Sequence, residues 1–153
     1  MSDHPVPEGY HSVTPSLTAR DSAAALDFYT RAFGAEVLFM MPEPSGKLMH
    51  AEFRIGDSRM MISDEYPAYG ALAPEIGKGG SFMIYVPDVD AAFARAVAAG
   101  ATPTMEPTDM FYGDRSGKLD DPFGYRWTIA SRVREVSQEE MDAAAKAWAE
   151  ENS

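Results

Sequence analysis

An internal repeat places the strongest constraint on how this chain folds. Between Asp21 and Gly34, apolar residues recur every three or four positions, and the same pattern returns between Asp88 and Gly100. An Asp before such a segment is a favoured helix N-cap, and a Gly after it is a favoured stop. The pattern predicts two amphipathic helices in equivalent positions of two similar units, over residues 22–33 and 89–99.

Strand-like runs surround both helices in the same order. One run precedes each helix, at 13–18 and at 81–86, and three more follow it, separated by turn signals rich in Pro, Gly and Asp. The runs that follow are 36–41, 47–55 and 58–63 in the first unit and 102–108, 111–119 and 124–131 in the second. Each unit therefore has the order strand, helix, three strands, which predicts an α+β fold of two tandem βαβββ modules.

The chain length suits a single domain built from both modules. It has 153 residues, of which 45% are hydrophobic, enough for one core. We expect module one over about 11–65, a linker over 66–80 and module two over about 80–131. Beyond them, Ser137 and Glu140 form a capping box, and apolar residues at helical spacing predict a C-terminal helix over about 138–150. Its apolar face has two interpretations, packing on its own domain or docking on a second subunit.

Composition excludes several classes of partner and site. The formal net charge is -11, which opposes binding to nucleic acid or to an anionic membrane surface. The chain has no Cys, so disulfides and thiolate chemistry are excluded. The amino terminus lacks the basic and apolar regions of a signal peptide, and no apolar run is long enough to span a membrane. We therefore expect a cytoplasmic protein.

Several short motifs identify a family that the chain resembles. They are Asp-x5-Asp-Phe-Tyr-x3-Phe-Gly at 21–34, Asp-Pro-Phe-Gly-Tyr-x-Trp at 121–127, His-Ala-Glu at 50–52 and Tyr-Gly-Asp-Arg at 112–115. In their order along the chain, on a duplicated module, they resemble the vicinal oxygen chelate superfamily, which includes glyoxalase I, extradiol dioxygenases and bleomycin-resistance proteins, and most closely its PhnB-like branch. The resemblance implies that the two modules curl their sheets into a cup-like mixed sheet around a small ligand.

The same resemblance implies where a metal would bind. Metal-using members take ligands from the first and last strands of each module, positions that correspond here to Thr14, Met61, Ser81 and Thr128. None of these side chains supplies an imidazole or a carboxylate, the groups that hold divalent cations in proteins. We therefore expect no metal at this site and no cofactor.

One other pair of residues could bind a metal. His50 and Glu52 alternate onto the same strand face together with Arg54, opposite an apolar face. Three interpretations stay open for this face: contact with solvent or an interface, polar contacts to a ligand, or metal binding.

Strand alternation combined with the resemblance gives a candidate ligand site. Hydroxyls, thioethers and arginines on the cup side would suit an uncharged or anionic small organic ligand. The candidate residues are Thr14, Ser16, His50, Glu52, Arg59, Met61, Ser81, Met83, Arg126 and Thr128. A cup filled by its own side chains is the alternative, and no residue is identified as catalytic.

Two functional hypotheses follow. The first is a metal-free protein that binds or sequesters a small molecule, and the second is a metal-dependent glyoxalase- or dioxygenase-like enzyme that uses His50 and Glu52. The acidic pairs at 64–65 and 120–121 lie beside turns and are interpreted as solvated acids. We also expect a homodimer, because open sheet edges and an apolar face on the last helix favour association.

Overall fold

The computed structural model describes residues 3–153 and contains eight strands and three α-helices in this part of the chain. The first module has β1 (Ser16–Ala19), α1 (Ser22–Phe33), β2 (Glu36–Pro42), β3 (Leu48–Ile55) and β4 (Ser58–Asp64). The second has β5 (Ser81–Tyr85), α2 (Val89–Ala99), β6 (Thr102–Asp109), β7 (Asp114–Asp120) and β8 (Arg126–Arg132), and α3 (Gln138–Glu151) follows. A short 3-10 turn at Pro67–Tyr69 lies between the modules. The predicted α+β fold of two βαβββ modules with a C-terminal helix is confirmed.

Each helix begins and ends at the residues that the sequence pattern indicated. The Asp21 carboxylate accepts a hydrogen bond from the backbone N–H of Ala24, and Asp88 does the same for Ala91. Gly34 ends α1 with a positive φ of 69°, a conformation that glycine adopts without steric cost. Side-chain capping thus fixes the start of both helices relative to the strands before them.

Each module forms its own four-stranded sheet. The strand orders are β1-β4-β3-β2 and β5-β8-β7-β6, so the first and last strands of each module run parallel at one edge and the other pairs are antiparallel. Within residues 3–153, no hydrogen-bonded strand pair joins the two sheets, and they do not close into a barrel. The modules meet instead through α1 and α2, which pack against each other.

An aromatic cluster forms the centre of the core and includes residues from both modules. Trp127 of β8 is 1% exposed and lies 4.7 Å from Phe33 of α1 between ring centroids. Tyr29 of α1 stacks on Phe53 of β3 at 5.6 Å. Because α1 contacts strands of both sheets, burial of these rings stabilises the module pair as one unit.

The last helix does not share this core. α3 has no buried residue and, within the described chain, packs against no other helix or strand. Its N-cap is the predicted capping box, in which the backbone N–H of Glu140 donates to Ser137 Oγ at 3.1 Å. Of the two interpretations of its apolar face, packing on its own domain is therefore wrong.

Candidate functional site

Each sheet has one face against the helices and one face turned away from them, which we call the open face. In β3, Ala51, Phe53 and Ile55 are buried under α1, while His50 and Glu52 are half-buried on the open face. Strand alternation therefore correctly placed His50 and Glu52 on the face of β3 opposite its buried apolar residues. Ser16, Arg59 and Met61 lie on the same open face, and Met61 is paired with both Ser16 and Glu52 in the strand register.

A polar cluster on this open face includes one residue that sequence reasoning missed. The Tyr10 hydroxyl donates a short hydrogen bond to Glu52 Oε1, and His50 Nε2 lies 3.5 Å from Glu52 Oε2. The Arg59 guanidinium lies over the Tyr10 ring, 5.5 Å from its centroid. Tyr10 precedes the first strand in an irregular segment, so no periodic signal could have placed it here.

Desolvation and the neighbouring carboxylate change the acidity of Tyr10. Burial, followed by the hydrogen bond to Glu52, raises the pKa of Tyr10 to about 12 from its ordinary value of 10.0. Gly9 allows Arg59 to come close, since a Cβ at Gly9 would lie 2.6 Å from Arg59 Nε, and its φ of +83° also favours glycine. The first open face is therefore partly covered by the segment that carries Gly9 and Tyr10.

The structure offers no obvious ligand set for a metal. Across residues 3–153 there is no group of three or more His, Cys, Asp or Glu side chains that could hold an ion. Glu52 already accepts hydrogen bonding from Tyr10, and its other oxygen faces His50. Thr14 Oγ1 donates to the backbone carbonyl of His11 at 3.3 Å. Hydroxyls and a thioether at the four family positions do not fit a divalent cation.

The open face of the second sheet carries the remaining candidates. Ser81 is exposed beside Arg126, whose Nε donates to Asp120 Oδ1 at 2.9 Å. Met83 is 49% exposed and is paired in register with Thr128, which is 8% exposed. These four candidates therefore lie on one face, but the structure does not bring them into contact with the Tyr10 cluster.

The second sheet also contains a buried polar residue that the sequence did not indicate. Ser116 of β7 is 1% exposed, and its Oγ makes no hydrogen bond with the described residues. It is paired in register with Ala130, the neighbour of Tyr85, and the Tyr85 hydroxyl donates to Asp114 Oδ2 at 3.1 Å. A buried hydroxyl without a partner costs free energy, so a small polar group that reached it would stabilise the protein.

Two acidic residues beside turns are buried and structural. Asp64, which is 7% exposed, accepts hydrogen bonds from Ser22 and from the backbone N–H of Leu48. Asp121 is 1% exposed and accepts hydrogen bonds from Tyr29, Trp127 and two backbone N–H groups. Burial and the Asp121 carboxylate raise the pKa of Tyr29. The interpretation of these two residues as solvated acids is therefore wrong.

Two clefts lie between the modules. The smaller one, about 390 Å³, is lined mainly by apolar residues of α1, α2 and β5. The larger one, about 700 Å³, is bounded by the β3–β4 turn of module one and by β5 of module two. Met83 lines the larger cleft, and the other nine candidate residues line neither.

Comparison with known proteins identifies the family. The family model of the glyoxalase/bleomycin resistance protein/dioxygenase superfamily matches residues 9–129. The chain belongs to this superfamily. The resemblance derived from the motifs is confirmed, and the superfamily fold accounts for the duplicated module.

Superfamily relatives of this chain include proteins without a described activity. An uncharacterized protein of Mycobacterium bovis is 41% identical over 138 residues, which cover 87% of this chain and 91% of the relative. Among solved structures, TioX from Micromonospora sp. ML1 is similar with a TM-score of 0.66 and 25% identity, covering 80% of this chain and 99% of that one. A Bacillus cereus PhnB protein shares the fold with a TM-score of 0.58 and 20% identity, covering 79% and 99%.

None of the described helices combines the length and the apolar character that crossing a bilayer requires.

Proposed function

We propose that this superfamily member is a metal-free protein of the cytoplasm that binds or sequesters a small uncharged or anionic organic molecule on the open faces of its sheets. The observation that carries the proposal is the half-buried cluster of Tyr10, Glu52 and Arg59 on the first open face. Such a cluster combines hydrogen-bonding groups with apolar surface, the usual composition of a ligand site.

Arg59 is the group suited to an anionic ligand. It forms no ion pair within residues 3–153, whereas Arg54, paired with it in the strand register, is held by Glu36. An Arg guanidinium without an acidic partner can bind a carboxylate or another anion in a bidentate manner. Met61 and Phe39 supply neighbouring apolar surface on either side of Glu52.

Binding of a simple anionic probe tests this site. Benzoate titrated into the isotopically labelled protein should shift the backbone amide signals of Arg59, Met61 and Glu52. The Arg59→Ala variant should lose this response, while Arg54→Ala, the matched control, should keep it because Arg54 is already paired with Glu36. A response that is equal in both variants would refute the assignment of Arg59.

Metal analysis distinguishes binding from metal-dependent catalysis. The proposal expects no transition metal near one ion per chain and no change in melting temperature after chelation. The alternative is a metal-dependent glyoxalase- or dioxygenase-like enzyme that uses His50 and Glu52, which lie 3.5 Å apart. A stoichiometric metal that is lost in His50→Ala would support that enzyme and contradict the proposal.

We further propose that the protein acts as a homodimer in which α3 docks on a second copy. Trp148 on α3 is 58% exposed, and the edge strand β2 exposes Phe39, Met40 and Met41. Apolar surface of this kind favours association, and the net charge of -11 is screened beyond about 8 Å at physiological salt. Light scattering should give twice the chain mass of 16.7 kDa, and removal of residues 137–153 should weaken the dimer. A monomeric mass at all concentrations would contradict it.

A further inference from the structure

The two modules match residue for residue where their first and last strands pair. Ser16 lies beside Met61 in module one, and Met83 lies beside Thr128 in module two, so a constant offset of 67 residues relates the two pairs. The same offset matches the start of β4 with the residue before β8, and the residue before the end of β1 with the end of β5. The matched positions are Ser58 with Tyr125 and Thr18 with Tyr85.

In one half of this pseudo-symmetric arrangement, Tyr125 occupies the space beside a strand edge. Its hydroxyl accepts a hydrogen bond from the Thr18 backbone N–H at 2.9 Å and donates one to the Thr18 carbonyl at 2.9 Å. The Pro15 carbonyl, just before the same strand, accepts a hydrogen bond from Met61 of β4, so Thr18, three residues on, directs its backbone groups to the opposite, outer edge. The phenol of Tyr125, which is 7% exposed, therefore satisfies both backbone groups of a sheet edge.

In the other half, the equivalent position has no aromatic side chain. Ser58 is exposed, and its Oγ donates to Asp57 Oδ1 at 3.1 Å instead of crossing to β5. Gly80 and Val86 bond to β8, so Tyr85, one residue before Val86, directs its N–H and C=O to the outer edge. Neither of these two Tyr85 backbone groups has a hydrogen-bond partner within residues 3–153.

The larger cleft occupies this position. Its volume is about 700 Å³, and both Ser58 of module one and Tyr85 of module two line it. The rest of its wall is mainly apolar and aromatic and includes Phe33, Ile55, Met60, Phe82, Ile84 and Trp127. A cleft with an apolar wall and one donor and one acceptor at its edge is a built site for a small amphipathic molecule.

We infer that this cleft binds a small phenol, whose hydroxyl pairs with the Tyr85 backbone as the Tyr125 hydroxyl pairs with Thr18. A phenol supplies one donor and one acceptor on the same oxygen, which is the combination that the strand edge leaves unpaired. Its ring would be buried against Phe82 and Trp127, whose centroids lie 4.9 Å apart. This site lies outside the Tyr10 cluster and does not depend on the function proposed above.

A phenol fits better than an anion or a purely apolar ligand. No Lys or Arg lines the cleft, and Asp57 does, so an anionic ligand would be repelled. A purely apolar ligand would fill the wall but leave the Tyr85 N–H and C=O buried without hydrogen-bond partners, which is unfavourable. The internal repeat supports a phenol directly, because at the equivalent position in the other half the phenol of Tyr125 already bonds to the strand edge.

The test uses 4-methylphenol, the side-chain analogue of tyrosine, titrated into the labelled full-length protein. Its binding should shift the Tyr85 and Met83 amide signals and leave the Thr18 signal unchanged. Toluene, which has the same ring and methyl group without the hydroxyl, should bind at least ten-fold more weakly. Equal binding of toluene would overturn the assignment of the hydrogen bonds.

Two variants at one position make the test specific. Ser58→Tyr should fill the cleft with its own phenol and abolish 4-methylphenol binding, while Ser58→Ala, which keeps the cleft open, should bind as the wild type does. Binding retained in Ser58→Tyr, or shifts confined to the amides near Arg59, would overturn the site. An increase in mass of the wild type relative to Ser58→Tyr would show that a second copy occupies the cleft, which would also overturn it. The benzoate response at Arg59 should survive in both variants, so failure here leaves the proposed function unaffected.

Discussion

The Asp121 carboxylate accepts four hydrogen bonds in the interior of the protein, so its replacement should be among the most destabilising changes. The Tyr29 hydroxyl donates to Oδ2 at 2.6 Å and Trp127 Nε1 donates to the same oxygen at 2.8 Å. The backbone N–H groups of Phe123 and Tyr125 donate to Oδ1 at 2.8 and 3.0 Å. Tyr29 belongs to module one, so Asp121 also links the two modules.

The expected cost follows from the number of donors left without a partner. Asp121→Ala removes all four acceptor contacts, and each unsatisfied buried donor costs about 1–3 kcal/mol, which gives at least ~4 kcal/mol. Asp121→Asn keeps an oxygen for the two backbone groups, and the Tyr29 hydroxyl can turn to accept from the new amide. The Trp127 N–H and the second amide hydrogen of the new side chain then face each other without an acceptor, so the expected cost is at least ~2 kcal/mol.

Urea unfolding monitored by tryptophan fluorescence measures both effects. The matched control is Asp120→Asn, the same chemical change one residue away, where the carboxylate pairs with a half-exposed Arg126. Because water can solvate the half-exposed Arg126 when the carboxylate is removed, Asp120→Asn should cost less than the loss of a fully buried acceptor. The reasoning would be refuted if Asp121→Asn lowered the free energy of unfolding no more than Asp120→Asn does. If Asp121→Ala does not fold, the two Asn variants still decide the question.

Two further predictions concern other close contacts. Because the pKa of Tyr10 is raised to about 12 from 10.0, its contribution to stability is present below pH 10 and is lost as the pH rises toward 12. A tyrosinate absorbance titration should lose one late-ionising group in Tyr10→Phe, and an unchanged titration would contradict the contact with Glu52. At Gly117, a Cβ would lie 2.8 Å from two atoms of the Phe93 ring, so Gly117→Ala should cost about 1–3 kcal/mol in thermal unfolding. The additional change Phe93→Leu should recover part of that loss.

Local sequence patterns were sufficient to predict the helices and most of the strands. The limits of α1 and α2 agree with the prediction because capping groups and glycines mark both ends in the sequence itself. The first strand begins at Ser16 and not at residue 13, since Val13 is 86% exposed and does not join the sheet. The β-branched Val13 is typical of strands, but only pairing with a neighbour makes a strand.

The candidate site was predictable only where it depends on strand alternation. Period-two alternation placed His50 and Glu52 on the correct face, as their contact at 3.5 Å shows. Tyr10 could not be found this way, because it reaches Glu52 from an irregular segment 42 residues earlier in the chain. The burial of Asp121 could not be predicted either, since its partner Tyr29 belongs to module one and meets it only after the modules pack.

The contrast between Tyr125 and Ser58 also bears on how a duplicated protein can diverge. In an assembly of two identical single modules, any side chain at this position would occur on both sides of the symmetry axis. A tyrosine would then close both strand edges and a serine would open both. Joining the two modules in one chain removes that restriction, so one side can hold the halves together through Thr18 while the other keeps an open cleft. Gene fusion thereby allows the Tyr125 side to keep the contact that holds the modules together, while the Ser58 side can change without loss of the fold.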